Sequence, residues 1–388
     1  MEAARSAVLE TLGTTTETRK TMPSPNSSNS HPAPRIATHE FGHMPDGRAV
    51  TEYTLDNGLG LRLSAINLGG IVTALQVPDR HGQSGNVVLG LRTLEDYLKP
   101  HPHFGTIVGR YANRIAGGRF TLDGVAHQLP LNNGANSLHG GHQGFGTRYW
   151  QIDPVPAQSG DGDEVAIDLR YTSADGEEGF PGEVQVTVRY ALSTTENAWR
   201  IDYRAVSDRA TVLNLSHHDY FNLAGGGAVR DHRLTIPASH FCPVDSGLIP
   251  LGLASVAETP FDFRVPTPIG ARIDDPHEQV RVAGGYDHNW VLDREPAGMT
   301  LAARLEHEPS GRVMEVHTTE PAVQFYSGNF LDGTLRGRDG ESFKQGAGLC
   351  LETQHYPDSP NQPDFPSTVL RPGEAFSSTT LHRFGISA

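Results

Sequence analysis

Three segments of this chain alternate strictly between apolar and polar residues. EVAIDLRYTS sets Val165, Ile167, Leu169 and Tyr171 on one side. EVQVTVRYALS does the same with Val184, Val186, Val188 and Tyr190, and AWRIDYRAVS with Trp199, Ile201, Tyr203 and Ala205. Successive side chains of a strand point to opposite faces, so this period of two specifies strands with one buried face. Turn sequences such as Asp56-Asn57-Gly58 and Asp123-Gly124 punctuate such strands. No long segment carries the 3.6-residue period of a helix. TLEDYLK, Thr93–Lys99, is one short helical candidate, with Thr93 as its cap. The expected fold is all-β, a large antiparallel β-sandwich or barrel.

At 388 residues the chain exceeds the usual size of a single core, but large β-sandwiches are an exception to that rule. Neither a linker nor a repeat interrupts residues 50–385, so one domain over 46–388 is expected. Residues 1–45 read as a disordered tail: TTTETRKTMPSPNSSNSHPAP is polar and rich in Ser, Thr and Pro, with almost nothing to bury. Ahead of it, MEAARSAVLETL suits a short helix.

The net charge of −14, from 31 basic and 45 acidic residues, argues against a nucleic-acid or anionic-membrane partner and favours a neutral small molecule. Two cysteines, Cys242 and Cys350, make no disulfide framework and fit a reducing compartment. There is no apolar run of spanning length, and the first twenty residues lack a signal-type apolar core. These features predict a cytoplasmic protein; its oligomeric state, monomer or homodimer, is left open by them.

Polar residues gather in five places: Arg110, Asn113 and Arg114; His139 and His142; His217 and His218; Asp287 and His288; Glu352, Gln354 and His355. GLCLET reads as a strand with Gly348, Cys350 and Glu352 on one face. Glu352 sits where it meets a proline-rich loop, as a general base would, or as an ordinary strand-end glutamate would. His217 and His218 are adjacent in NLSHHDYFNLAG, so in a regular strand they face opposite ways and cannot chelate one metal together. The HxxH spacing of His139 and His142 suits a metal, but no HExxH or CxxC pattern supplies further ligands, and no metal is expected. Trp290, Phe221, Tyr326 and Phe145 lie near these groups in sequence. Aromatic faces beside Arg, Asn, Asp and His suit a neutral carbohydrate; each aromatic equally suits the core.

Taken together, the segments resemble the aldose 1-epimerases, or galactose mutarotases. INLGGIVTALQVPDRHG, GRYANRIAGGRFTLDG, NSLHGG, NLSHHDYFNLAG, GYDHNWVL, EPAVQFYSGNFLDG and LETQHYPDSPNQPDFPS follow in the family's order across about residues 50–385. The resemblance implies a large β-sandwich with its site in an open cleft. It implies Glu352 of LETQHYPD as catalytic base and His218, directly before DYFNL, as catalytic acid. His139 of SLHGG would lie beside the sugar ring oxygen, Arg114 and Asp287 would hold hydroxyls, and Asn113 and Gln324 would add contacts. No cofactor is implied. His217 and His355 stand where the family often carries other residues, which leaves sugar preference open. The expected reaction interconverts the α and β anomers of free aldohexoses such as galactose and glucose. Competing readings are a sugar-phosphate epimerase of the same fold, a non-catalytic sugar-binding protein and a metal-dependent hydrolase.

Overall fold

The structure, a computed structural model, describes residues 33–155, 163–294 and 298–387. Pro32–Ala388 form one compact unit. The three alternating segments become the neighbouring strands Glu164–Ser173, Val184–Ser193 and Ala198–Ser207. They belong to a nine-stranded antiparallel sheet. Gln151–Val155 lies at one edge, and Ala375–Ile386, Arg312–Thr318, Thr300–His307, Arg233–Thr235 and Thr267–Pro268 continue it on the other side. The last strand therefore closes the sheet by inserting between its two halves.

Two five-stranded sheets complete the architecture. One is a meander of Arg35–His43, Ala49–Asp56, Arg62–Ile66, Val72–Pro78 and Ser84–Asn86. The other runs Ala254–Ser255, His240–Cys242, Asp287–Val291, Ala322–Tyr326 and Cys350–Gln354. One apolar cluster draws side chains from all three sheets, among them Leu63 and Leu75, Val188 and Ile201, and Trp290, Phe325 and Leu351. Helix is sparse. Thr93 caps Leu94–Tyr97 through a bond from the Asp96 N–H, and Leu94 and Tyr97 are buried beneath it. Cys242 and Cys350 are both free and buried. No helix among the described residues is long and apolar enough to cross a membrane.

The strand Arg35–His43 corrects the expected tail, which ran to residue 45. It pairs antiparallel with Ala49–Asp56 at the sheet edge. Its side chains are mostly exposed, so main-chain hydrogen bonds rather than burial hold it, and no apolar alternation marks it. The helix expected at MEAARSAVLETL, and the tail as far as residue 32, lie outside the described residues. Phe145, Phe221 and Trp290 are core residues rather than a sugar platform.

Ile201 is fully buried between the sheets. Ile201→Ala should lower the free energy of unfolding by about 2–5 kcal/mol in denaturant titrations, since removing buried methyl groups leaves a cavity. A loss under about 0.5 kcal/mol would mean that this core is not close-packed.

Candidate active site

The strands Asp287–Val291, Ala322–Tyr326 and Cys350–Gln354 carry an apolar face and a polar face. His288, Trp290, Val323, Phe325 and Leu351 point one way. Cross-strand pairing sets Asp287 opposite Tyr326, Gln324 opposite Glu352, and Tyr326 opposite Cys350 on the other. Paired residues share a face, so one face of this sheet presents Asp287, Gln324, Tyr326, Cys350 and Glu352 together.

Loops deliver the remaining groups. The short strand Ser216–His217 pairs with Ile107–Val108, and His218 follows it, held by the bonds His218 N–H to Thr106 O (3.0 Å) and Gly105 N–H to His218 O (2.9 Å). Arg114 and Ile115 pair with Leu138 and Ser137. Asn113 and His139 flank that ladder in left-handed backbone, at φ 67° and 51°, and His103 is a third such residue at φ 58°. Non-glycine residues are rarely held there, and such strain clusters at functional sites. Asn113 and His139 lock each other: Asn113 N–H donates to His139 Nδ1 (3.1 Å), and His139 N–H donates to Asn113 O (3.1 Å).

One cleft is lined by Asn113, Arg114, His139, His218, Asp287 and Glu352, six of the seven residues named from the sequence. The seventh, Gln324, donates to Asp287 Oδ1 at 2.7 Å. Sequence reasoning missed His103, Tyr220, Asn133 and Phe330, which share the lining. HPHF offered no pattern for His103, and DYFNL gave Tyr220 only a place in a motif. Of the four aromatics considered, Tyr326 alone lines this cleft, with the exposed Phe330 stacked on it (ring centroids 5.9 Å apart). Arg110 is spent inside the protein on Ser173, Ala174 and Pro181. His288 packs on Phe261, and His355 pairs with Glu320 (2.6 Å). The exposed His142 contacts Glu178 through its main chain.

The adjacent histidines part as their alternation requires. His217 is buried with both ring nitrogens engaged, Nε2 with Tyr190 Oη (2.7 Å) and Nδ1 with Asp219 Oδ2 (2.6 Å). His218 enters the cleft, its Nε2 3.7 Å from Glu352 Oε1. That separation is too long for a direct hydrogen bond.

Burial controls the charges. It pushes the Glu352 carboxyl well above the usual range, Asp287 pushes it further, and Arg114 opposes both. Asp287 is raised by burial too, against Arg114 and the Gln324 amide. His139 and His218 are held well below the ordinary imidazole value by burial, and next by His103. Burial takes His103 down to about 4. The site disfavours isolated charge. Glu352 Oε2 and Gln324 Oε1 are buried acceptors without a hydrogen-bond partner among the described residues.

Ligating atoms of His139, His218 and Glu352 lie within 4.8 Å of one another, a spacing that a metal ion could use. The His139 tautomer argues otherwise. Its Nδ1 accepts a main-chain N–H, so the neutral ring carries its proton on Nε2 and offers the cleft a donor, not a lone pair. Two remaining ligands fall short of the three that a catalytic zinc site uses. Donors at Arg114 and His139, acceptors at Asp287 and Glu352, and the ring of Tyr326 suit a polyhydroxylated, uncharged ligand.

The raised Glu352 pKa has a consequence for stability. A carboxyl with a folded pKa above its unfolded value contributes fully below the unfolded value, and the contribution is lost as pH rises through the folded one. Glu352→Gln should therefore raise Tm relative to wild type by an amount that grows from pH 4.5 to pH 8. A gain that is flat or shrinks with pH would show that Glu352 is not held protonated by the fold.

The sequence profile of the family described as Aldose 1-epimerase matches residues 51–383. Galactose mutarotase of Rattus norvegicus is 45% identical over 350 residues, covering 89% of this chain and 98% of that protein. Aldose 1-epimerase of Escherichia coli (strain K12) is 39% identical over 346 residues, 88% of this chain and 96% of the other. The crystal structure of galactose 1-epimerase from Lactobacillus acidophilus superposes with a TM-score of 0.80 at 29% identity, covering 92% of this chain and all of that one. With this fold, and with a profile match across most of its length, the chain belongs to the aldose 1-epimerase family.

Proposed function

We propose that the protein is an aldose 1-epimerase that interconverts the α and β anomers of free aldohexoses, galactose and glucose among them. The observation that carries this reading is the apposition of Glu352 and His218 across a buried, polar cleft. Anomer interconversion moves one proton off the C1 hydroxyl and one onto the ring oxygen. It therefore needs two proton-transferring groups on opposite sides of one acetal carbon.

Glu352 as carboxylate takes the C1 hydroxyl proton. The C1–O5 bond breaks as the C1 carbonyl forms, and His218 as imidazolium gives its Nε2 proton to O5. Rotation about C1–C2 presents the other carbonyl face, and the reverse transfers close the ring. The pair holds one transferable proton, as carboxylate and imidazolium or as carboxyl and imidazole. Burial of both groups shifts the balance from the charged arrangement toward the neutral one, and the reaction passes through both arrangements whichever anomer it starts from. Arg114 and Asp287 bind hydroxyls that do not react, and His139 offers its Nε2–H to a ring or hydroxyl oxygen; their contribution is orientation. Asn113 holds His139, and Gln324 holds Asp287.

A sugar phosphate is the weaker reading. Arg114 is the one lysine or arginine among the described residues lining the cleft, and its Nε already donates to Asn133 (3.0 Å). A dianionic phosphate calls for more cations than that.

Polarimetry of freshly dissolved α-D-galactose and α-D-glucose tests the proposal. Wild type should accelerate mutarotation of both. Glu352→Gln and His218→Asn should each lower kcat by roughly 10²–10⁴, the range of general acid–base catalysis. Near-normal kcat in a folded variant would remove that residue from its role. Activity on glucose 6-phosphate alone would transfer the function to sugar phosphates.

A further inference from the structure

The imidazole of His218 has two ends, and the reaction uses one. Nε2 faces Glu352. Around the ring stand His103, His139, Tyr220, Glu352 and Cys350. Among the described residues, the side-chain atom within reach of Nδ1 is the sulfur of Cys350, at 3.5 Å. Cys350 and Glu352 lie two apart on one strand, so one strand face meets both ends of the same ring.

We propose that Cys350 is a positioning residue for His218: its sulfur accepts the Nδ1–H, so that Nε2 is the nitrogen that loads and unloads the catalytic proton. The inference rests on the acid–base reading above. When imidazolium releases its Nε2 proton to the ring oxygen, the neutral ring that remains carries its proton on Nδ1. An acceptor must face Nδ1 throughout the cycle, and the other tautomer would leave Nε2 unable to take a proton back.

The identity of the acceptor matters as well. His217, the adjacent residue, has an Asp219 carboxylate on its Nδ1 at 2.6 Å and takes no part in the cleft. A carboxylate at Nδ1 of His218 would stabilise the imidazolium and weaken it as an acid. Sulfur is a poor acceptor, and burial holds the Cys350 thiol well above its ordinary pKa, so it stays neutral. His218 is thereby oriented without being made more basic, which is what a group delivering a proton to an ether-like oxygen requires.

The test uses the full-length protein with 15N-labelled histidine, the His218 signals being assigned by their loss in His218→Asn. Long-range 1H–15N correlation should find neutral His218 as the Nδ1–H tautomer. Cys350→Ala should reduce kcat about 3- to 10-fold with KM nearly unchanged, the effect of losing one neutral hydrogen bond in the transition state. Cys350→Ser, which keeps an acceptor, should recover most of that loss. An Nε2–H tautomer in wild type would overturn the proposal by making the thiol a donor. So would unchanged kcat in Cys350→Ala, or a Cys350→Ser variant that is folded but as slow as Cys350→Ala, since sulfur would then serve packing alone. Absence of mutarotation by wild type would instead sink the acid–base reading, and the tautomer measurement would still decide whether sulfur accepts from Nδ1.

Discussion

The structure depends on one constraint: a strand has two faces, and in the sheet formed by Asp287–Val291, Ala322–Tyr326 and Cys350–Gln354 both are used. Each cleft residue adjoins a core residue. Asp287 precedes the buried His288, Gln324 lies between Val323 and Phe325, and Glu352 follows Leu351. A slip of one residue in register would drive the carboxylates into the core and the aromatic rings into solvent, so the packing that stabilises the sandwich also fixes the site. The cleft groups inherit the rigidity of a close-packed interior.

The loops are constrained differently. Asn113 and His139 hold left-handed backbone and bond reciprocally, an arrangement that survives because neighbouring structure overdetermines it. Gly140 shows how close the packing is: a Cβ there would lie 2.0 Å from Gly109 O, in a backbone with φ +83°. This loop must carry a glycine immediately after His139 to bring that ring against His218, 5.2 Å away between centroids.

Burial then sets the chemistry. Two carboxyls and three imidazoles share the cleft with one arginine, and low polarisability of the surroundings pushes every one of those five groups toward its neutral form. His217 and His218 face opposite ways because they are adjacent in the chain, and each meets a different group at Nδ1. One finds a carboxylate and is locked into the interior; the other finds a sulfur and keeps Nε2 for the cleft.

The alternation of EVAIDLRYTS, EVQVTVRYALS and AWRIDYRAVS determined by itself that these segments are strands with one buried face, because period two is a property of the extended chain; that they are neighbours was decided by the sheet. The polar clusters that hold Glu352, His218, His139, Arg114 and Asp287 were legible as short polar runs beside turns or strand ends, but the resemblance to the aldose 1-epimerases singled these five out from Arg110, His142, His288 and His355. Other features were decided in three dimensions. Arg35–His43 is a strand because Ala49–Asp56 offers it a free edge, which no pattern of its own records. His103 and Phe330 enter the cleft, and Trp290 and Phe145 leave it, because side-chain direction there depends on loop backbone and on sheet packing. The meeting of Cys350 with His218, 132 positions apart, exists only once the sheet face and the loop after Ser216–His217 have closed on one another.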